Sequence, residues 1–266
     1  MEGFIWTLKI VLLLLVVGCF FLPNVKNIFW REYKSFFTSW IGYITLFGFF
    51  IFTAFFIFLA WKGIVYYGQK PFALINITGF VIGTIFFVPI MTMRAFAEEK
   101  KSGTIELLFT SPIKTYQIVI GKFLSSFALF ITFLLLSLIY ILYIFMFEQD
   151  PGADYKLIFS EYMGIIYLGI GMIALGLFLS SITKEPFVAA LSGIVLGFFL
   201  LFLSQYAVSE SEGSLMQLIL SELSMISHVQ DMFQGIIKVK DIAFFLLWTV
   251  LFLSLANTAV ESHKWK

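Results

Sequence analysis

From Arg94 to Lys122 the chain reads RAFAEEKKSGTIELLFTSPIKTYQIVIGK, the only long charged interval that lies between two runs apolar enough to cross a bilayer. Ser102 and Gly103 interrupt the helix that would emerge from the preceding run. The hydroxyl of Thr104 can then cap a short helix from Ile105, with Glu106 in the first turn where the helix dipole favours an anion. That helix would carry Ile105, Leu108 and Phe109 on one side and end before Pro112, because the residue preceding a proline is disfavoured in helical geometry. Ser111 and Pro112 suit the N-cap and first position of a third helix, rising through Tyr116 and Ile120. The expectation is an elbow of three helices with two rigid corners, a small apolar knob and charged flanks. Composition alone favours a plain polar connector here.

The surroundings of this interval are those of a membrane protein. Of 266 residues, 61% are hydrophobic, 20% aromatic and only 12% charged, where a soluble domain has about a quarter charged. A formal net charge of +1 excludes the clustered cationic surface that nucleic-acid binding needs. A single cysteine, Cys19, excludes an intramolecular disulfide and a cysteine-based metal cage. Uncharged runs at 40–61, 71–93, 123–147, 162–183, 186–206 and 242–260 give six spans of an all-α bundle. Ahead of them, Lys26, Arg31 and Lys34 alternate with Phe29, Trp30, Tyr33, Phe36 and Phe37, the pattern of an interfacial helix.

Alternating the spans from an inside start puts Arg94, Lys100, Lys101, Lys114, Lys122, Lys184, Lys264 and Lys266 on one side. Glu148, Asp150, Asp154, Glu161, Glu210, Glu212, Glu222 and Asp231 fall on the other. Loop lysines and arginines resist translocation, so the elbow and the C-terminus are expected on the cytoplasmic side. Residues 1–24 form an extra hydrophobic segment with open readings: an anchor helix, or an upstream extension of a chain that starts at Val25. A secretory signal is poorly supported, with Lys9 opposed by Glu2. A lipoprotein-like box at Val16-Val17-Gly18-Cys19 would reverse the sidedness of every later span.

No ionisable residue falls centrally in any of the six runs, which argues against an ion-coupled carrier. The polar side chains within them are modest: Asn76, Thr84, Ser137 and Gln205. Gly79 with Gly83, and Gly193 with Gly197, have the spacing that lets helices approach closely, for packing within the chain or along a dimer seam. An amphipathic helix is expected on the outer face through Leu215, Leu218, Ile219, Leu223 and Ile226. His228, which follows near Asp231, reads as a surface or packing residue, since no second histidine is close enough to form a metal site. An intramembrane enzyme is disfavoured because His228 and His263 both lie outside the runs.

The pattern Glu99-Lys100-Lys101-Ser102-Gly103-Thr104-Ile105-Glu106-Leu107-Leu108, followed by Ser111-Pro112-Ile113 and Gly121-Lys122, resembles the signature of ABC type-2 permeases, the membrane subunits of ABC exporters. The segments His228 to Ile237, Asp241, and Glu261-Ser262-His263-Lys264-Trp265 are similar to the closing pattern of the gliding-motility-type branch, near the nitrous-oxide-reductase maturation permeases. The resemblance covers residues 25–266. It implies a six-helix permease domain with a second permease copy or paralogue, and two ATP-binding subunits docked on the elbow. A periplasmic-domain partner would also fit this branch. Carried onto this chain, the coupling residues are Glu98, Glu99, Lys101, Gly103, Thr104, Glu106, Leu108 and Pro112, with Gly121 and Lys122 as the motif opening span three. The same resemblance places Phe87-Val88-Pro89 along the pathway. Gln234, where the branch often has arginine, and the extra segment 1–24 depart from it. The chain has no Gly-x-x-x-x-Gly-Lys-Ser/Thr loop, so ATP and Mg would be bound and hydrolysed by the partner, with no cofactor, metal or catalytic residue in this chain. The alternative is a membrane scaffold that joins an ATPase to a cell-envelope or gliding-type machine without transport.

Overall fold

The computed structural model describes residues 23–67, 77–104, 113–147, 155–209, 220 and 222–263, and among them every regular element is a helix. In chain order these are α1 (Pro23–Thr38), α2 (Trp40–Tyr67), α3 (Ile77–Thr92), α4 (Arg94–Lys101), α5 (Thr115–Phe147), α6 (Tyr155–Ile182), α7 (Pro186–Ser209), α8 (Met225–Phe233) and α9 (Val239–Ser262). Six helical runs are long and apolar enough to span a membrane: Trp40–Leu59, Gly79–Lys101, Thr115–Leu142, Lys156–Ile182, Pro186–Leu203 and Val239–Ser262. The chain is a multi-pass, all-helical membrane protein. Residues 1–22 of the extra segment 1–24, the knob residues 105–112 and most of the expected outer helix lie outside the described residues.

The helices run past the apolar intervals that announce them. α5 begins eight residues before the uncharged run and carries Lys122, and α6 begins at Tyr155 and carries Glu161. A helix satisfies its own backbone whether or not its side chains are polar, so charge ends an apolar run without ending the helix. Glu161, assigned above to an outer loop, is therefore a buried residue of α6, 3% exposed. α5 also starts at Thr115, not at Pro112. The Gln117 side chain reaches back to accept from the Lys114 amide, which is half of a capping box, and this fixes the start three residues later than Ser111-Pro112 implied.

α6 is the central helix and packs against α3, α4, α5, α7, α8 and α9. Its glycines admit large neighbours: a Cβ on Gly169 would meet the Phe130 ring at 2.1 Å. The phenylalanines divide between two roles. Phe47, Phe55, Phe58, Phe199 and Phe202 are exposed on the outside of the bundle, whereas Phe49, Phe80 and Phe133 are buried and, with Phe36 and Phe87, form a connected aromatic seam. Edge-on contacts of this kind add to the packing that must hold helices together where lipid supplies no hydrophobic drive. Interior hydroxyls mostly bond within their own helix, as Thr53 does to Phe49 and Thr84 to Phe80. Ser137 also meets the Tyr162 hydroxyl at 3.1 Å on α6.

α1 lies along α5, burying Val25 and Ile28 while Trp30 stays exposed. Tyr33 reaches the Thr132 hydroxyl at 3.0 Å. The approach is close because Gly121 has no side chain: a Cβ there would sit 2.8 Å from Ile28 Cγ2. Gly121→Leu should therefore lift α1 from α5, costing about 1–3 kcal/mol by overpacking. A cysteine pair placed at Tyr33 and Thr132 should lose its cross-linking in that variant, and unchanged cross-linking would contradict the seat described here.

Candidate functional site

Polar side chains from several elements at the elbow end converge on α4, an eight-residue helix with no side-chain cap of its own. Its first-turn amides are orphan donors, and the cap comes from another helix. Ser180 Oγ on α6 accepts from the Phe96 and Ala97 amides at 3.0 and 3.1 Å and donates to the Met93 carbonyl at 2.9 Å. Ser180 is fully buried. At the other end of α4, Ser102 closes the helix and Gly103 takes φ +73°, the left-handed turn that glycine adopts without the penalty a Cβ brings. The Ser102–Gly103 break expected from sequence is present. Thr104 is turned back toward α4, its hydroxyl 2.9 Å from Ser102 Oγ.

Successive charged residues of α4 then reach different neighbours. Glu99 Oε1 receives Lys122 Nζ of α5 at 2.7 Å, and Arg31 of α1 lies 3.6 Å away. Lys122 also donates to the Ala95 carbonyl and lies 3.3 Å from Glu32 of α1. Lys100 donates to the Ser181 carbonyl at the end of α6 and to His263 Nε2 beyond α9 at 2.7 Å. Lys101 pairs with Glu185, just before α7, at 2.7 Å. Arg94 donates to Ser39, between α1 and α2, at 3.0 Å and pairs loosely with Glu98. One short helix thus joins the same end of α1, α2, α5, α6, α7 and α9.

Lys122 is the tightest of these junctions. Its side chain is 2% exposed, and a buried ammonium is tolerated only when its protons are met by acceptors. Glu99, Glu32 and the Ala95 carbonyl provide them, and the Phe96 ring lies beneath the ammonium at 5.1 Å. Burial raises the Glu32 carboxyl, but the charges of Lys122 and Arg31 outweigh it and hold the group below the ordinary glutamate value of 4.5.

Of the residues marked from sequence, Glu98, Glu99, Lys101, Gly103 and Thr104 cluster on α4 and its C-terminal turn, Lys122 bonds Glu99 there, and Gly121 packs against α1 instead. Glu106, Leu108 and Pro112 fall outside the described residues. Gly79 meets Phe56 and Gly83 meets Phe49 and Thr53, all on α2, while Gly193 meets Pro89 and Gly197 meets Ile85, both on α3. These four glycines pack helices within the chain. Sequence reading missed Arg31, Glu32, Ser180 and Glu185. Glu32 had a signal, as the single acid among Lys26, Arg31 and Lys34; a serine such as Ser180 has none.

The opposite end has its own polar cluster. His228 on α8 is buried, with Nδ1 2.8 Å from Asp241 of α9 and its ring stacked on Phe244. Asp231, the neighbour expected from sequence, pairs with Lys238 instead. α8 starts afresh at Met225 because Ser224 accepts from the Ser227 amide, so the apolar periodicity that reached Ile226 does not mark one continuous helix. Among the described residues, no three His, Cys, Asp or Glu side chains gather as metal ligands.

Lys122→Met leaves Glu99 and Glu32 without their shared cation and should cost about 3–5 kcal/mol of stability. In a double-mutant cycle, Lys122→Met with Glu99→Gln should lose clearly less than the sum of the two single losses, read as thermal unfolding in detergent. Additive losses would mean that the pair does not interact. Because the folded Glu32 carboxyl titrates below its free value, its contribution is fully present above pH 4.5 and disappears as pH falls through the lower folded value. Glu32→Gln should therefore flatten the acid limb of the stability profile.

A family model described as ABC-2 family transporter protein matches residues 62–259. No curated protein matches the chain.

Proposed function

Since the chain belongs to the ABC-2 transporter family and is thus a permease-type membrane subunit, we propose that it serves an ATP-driven exporter by carrying the motion of an ATPase through the 94–122 elbow into the bundle. The observation that carries this reading is the set of ties from α4 to its neighbours, through Glu99, Lys100, Lys101 and Arg94. A push on the residues that follow Gly103 is applied at the end of α4. Because α4 is too short to bend and is held on several sides, it moves as a lever. α5 and α1 follow through Lys122, α6 and α9 through Lys100, and α7 through Lys101.

The ATP-binding subunits dock on the elbow from Glu98 to Pro112, and they supply the ATP and Mg chemistry for which this chain has no phosphate loop. A second permease copy or paralogue completes the passage. The elbow and the C-terminal end of α9 then face the cytosol of a bacterial inner membrane, in keeping with the loop distribution of lysine and arginine. The signature at Glu99 to Leu108 and the closing segment near His228 support the gliding-motility-type branch.

The test is ATPase stimulation in proteoliposomes holding the permease with its ATP-binding subunits. Gly103→Leu forces a side chain into a left-handed backbone, where an added Cβ meets nothing within 4 Å among the described residues, so the strain it brings there is one of backbone geometry. It should sharply reduce stimulation, while Gly103→Asn, which tolerates that conformation, should retain most of it. Glu106→Lys should also uncouple without loss of membrane insertion. Normal coupling in Gly103→Leu and Glu106→Lys together would remove the elbow from the mechanism. Full coupling in the parent with no solute moved in vesicles would favour the scaffold.

A further inference from the structure

One residue separates α3 from α4, and that residue is itself helical. α3 ends at Thr92, α4 begins at Arg94, and Met93 between them has φ −55° and ψ −34°, within the ordinary helical range. The local sequence also favours continuation: Met93, Arg94, Ala95 and Ala97 are good helix formers, and Met93 has no side-chain oxygen with which to cap a new start. What interrupts the helix is a hydrogen bond from elsewhere. In an unbroken helix the Phe96 amide would donate to the Thr92 carbonyl four residues back, whereas here it donates to Ser180 Oγ of α6 at 3.0 Å. The same hydroxyl accepts from the Ala97 amide and donates to the Met93 carbonyl, so its one proton and both its acceptor sites are engaged. A side chain inserted into the backbone ladder is among the few causes that break a helix. Gly176, one turn before Ser180 on the same face of α6, makes the insertion possible: a Cβ there would stand 2.2 Å from Thr92 Oγ1.

We propose that Met93 is a two-state hinge in the second span: open as here, with the Ser180 hydroxyl inserted, and closed, with the Phe96 amide on the Thr92 carbonyl and α3 and α4 joined as one helix. Both states satisfy the polar groups concerned. In the closed state the Met93 carbonyl has the Ala97 amide, and the Ser180 hydroxyl turns to the Gly176 carbonyl of its own helix, as the other interior hydroxyls do. No buried donor is left unmet in either. α6 selects between them: its approach through Gly176 and Ser180 opens the break, and its withdrawal lets the helix close. Lys100 and Lys101 are attached to Ser181 and Glu185 at and beyond the end of α6, so a change at the hinge redirects the charged end of α4 relative to α6 and α7. The hinge goes beyond the coupling reading and does not depend on it, since it belongs to one span of this chain and can be observed without ATP-binding subunits.

The experiment is pulsed electron paramagnetic resonance on the full chain in lipid nanodiscs, with Cys19 replaced by serine and spin labels at Phe86 of α3 and Glu98 of α4, both exposed. Ser180→Ala removes the inserted hydroxyl and should shift the main distance to that of an unbroken helix, in which the two backbone positions lie about 18 Å apart. Gly176→Ala, which pushes α6 away from Thr92 with the hydroxyl intact, should shift it to the same value. Ser181→Ala, whose hydroxyl bonds the Phe178 carbonyl of its own helix, should keep the parent distance. Thermal unfolding of each variant confirms that it is folded. An unchanged distance in folded Ser180→Ala overturns the proposal, because Ser180 would then be a fixed cap; should that variant fail to fold, an unchanged distance in Gly176→Ala overturns it. A shifted distance here together with normal coupling in Gly103→Leu and Glu106→Lys would remove the elbow and leave the hinge, so the two readings fail separately.

Discussion

A single ammonium group holds the elbow end of this molecule together. Lys122 sits where α1, α4 and α5 meet, almost fully out of solvent, and its charge is tolerable only because Glu99, Glu32 and the Ala95 carbonyl arrive from different directions. That requirement sets the distances between the helices. α1 must lie close enough for Glu32 to reach, which is why position 121 has no side chain, and α4 must begin where Ala95 and Glu99 both face α5. A contact of this kind is poor as a source of stability compared with an apolar replacement, yet it specifies one arrangement, because any slip of the three helices leaves a buried charge unmet.

The rest of the elbow is arranged around α4 by similar exactness in polar groups. α3 carries Pro89 and ends at Thr92, and α4 restarts immediately with no cap of its own. The Ser180 hydroxyl enters that gap from α6, so the central helix of the bundle is hydrogen-bonded to the backbone of α4. α4 is thus tied to α6 through the Ser180 hydroxyl and Lys100, and to α1, α5, α7 and α9 through its charged side chains. The apolar body of the bundle below it is closely packed through its phenylalanine seam and glycine contacts.

Where sequence reading and structure part, the cause is each time a partner distant in the chain. Glu161 looked like a loop acid because it ends an apolar run, but α8 folds over that end of α6, and the neighbouring Ser160 bonds the Met232 carbonyl. Asp231 was the near neighbour of His228, whereas the contact is made by Asp241, thirteen residues on, because α8 and α9 fold against each other. The start of α5 moved from Pro112 to Thr115 for a local reason: Gln117 caps it, and proline and serine were the stronger letters on the page.

Composition and periodicity alone determined that the chain is an all-helical membrane protein with six spans, that α1 is amphipathic, and that Ser102 and Gly103 break the helix. Each of these follows from how a short stretch partitions between lipid and water, or from the φ angles its own residues allow. The meeting of Lys122 with Glu99 and Glu32, the capping of α4 by Ser180, and the attachment of Lys100 and Lys101 to the ends of α6, α9 and α7 were decided only by the tertiary structure. A charged residue near a membrane surface has many acceptors within reach, and which one it takes depends on how the helices pack.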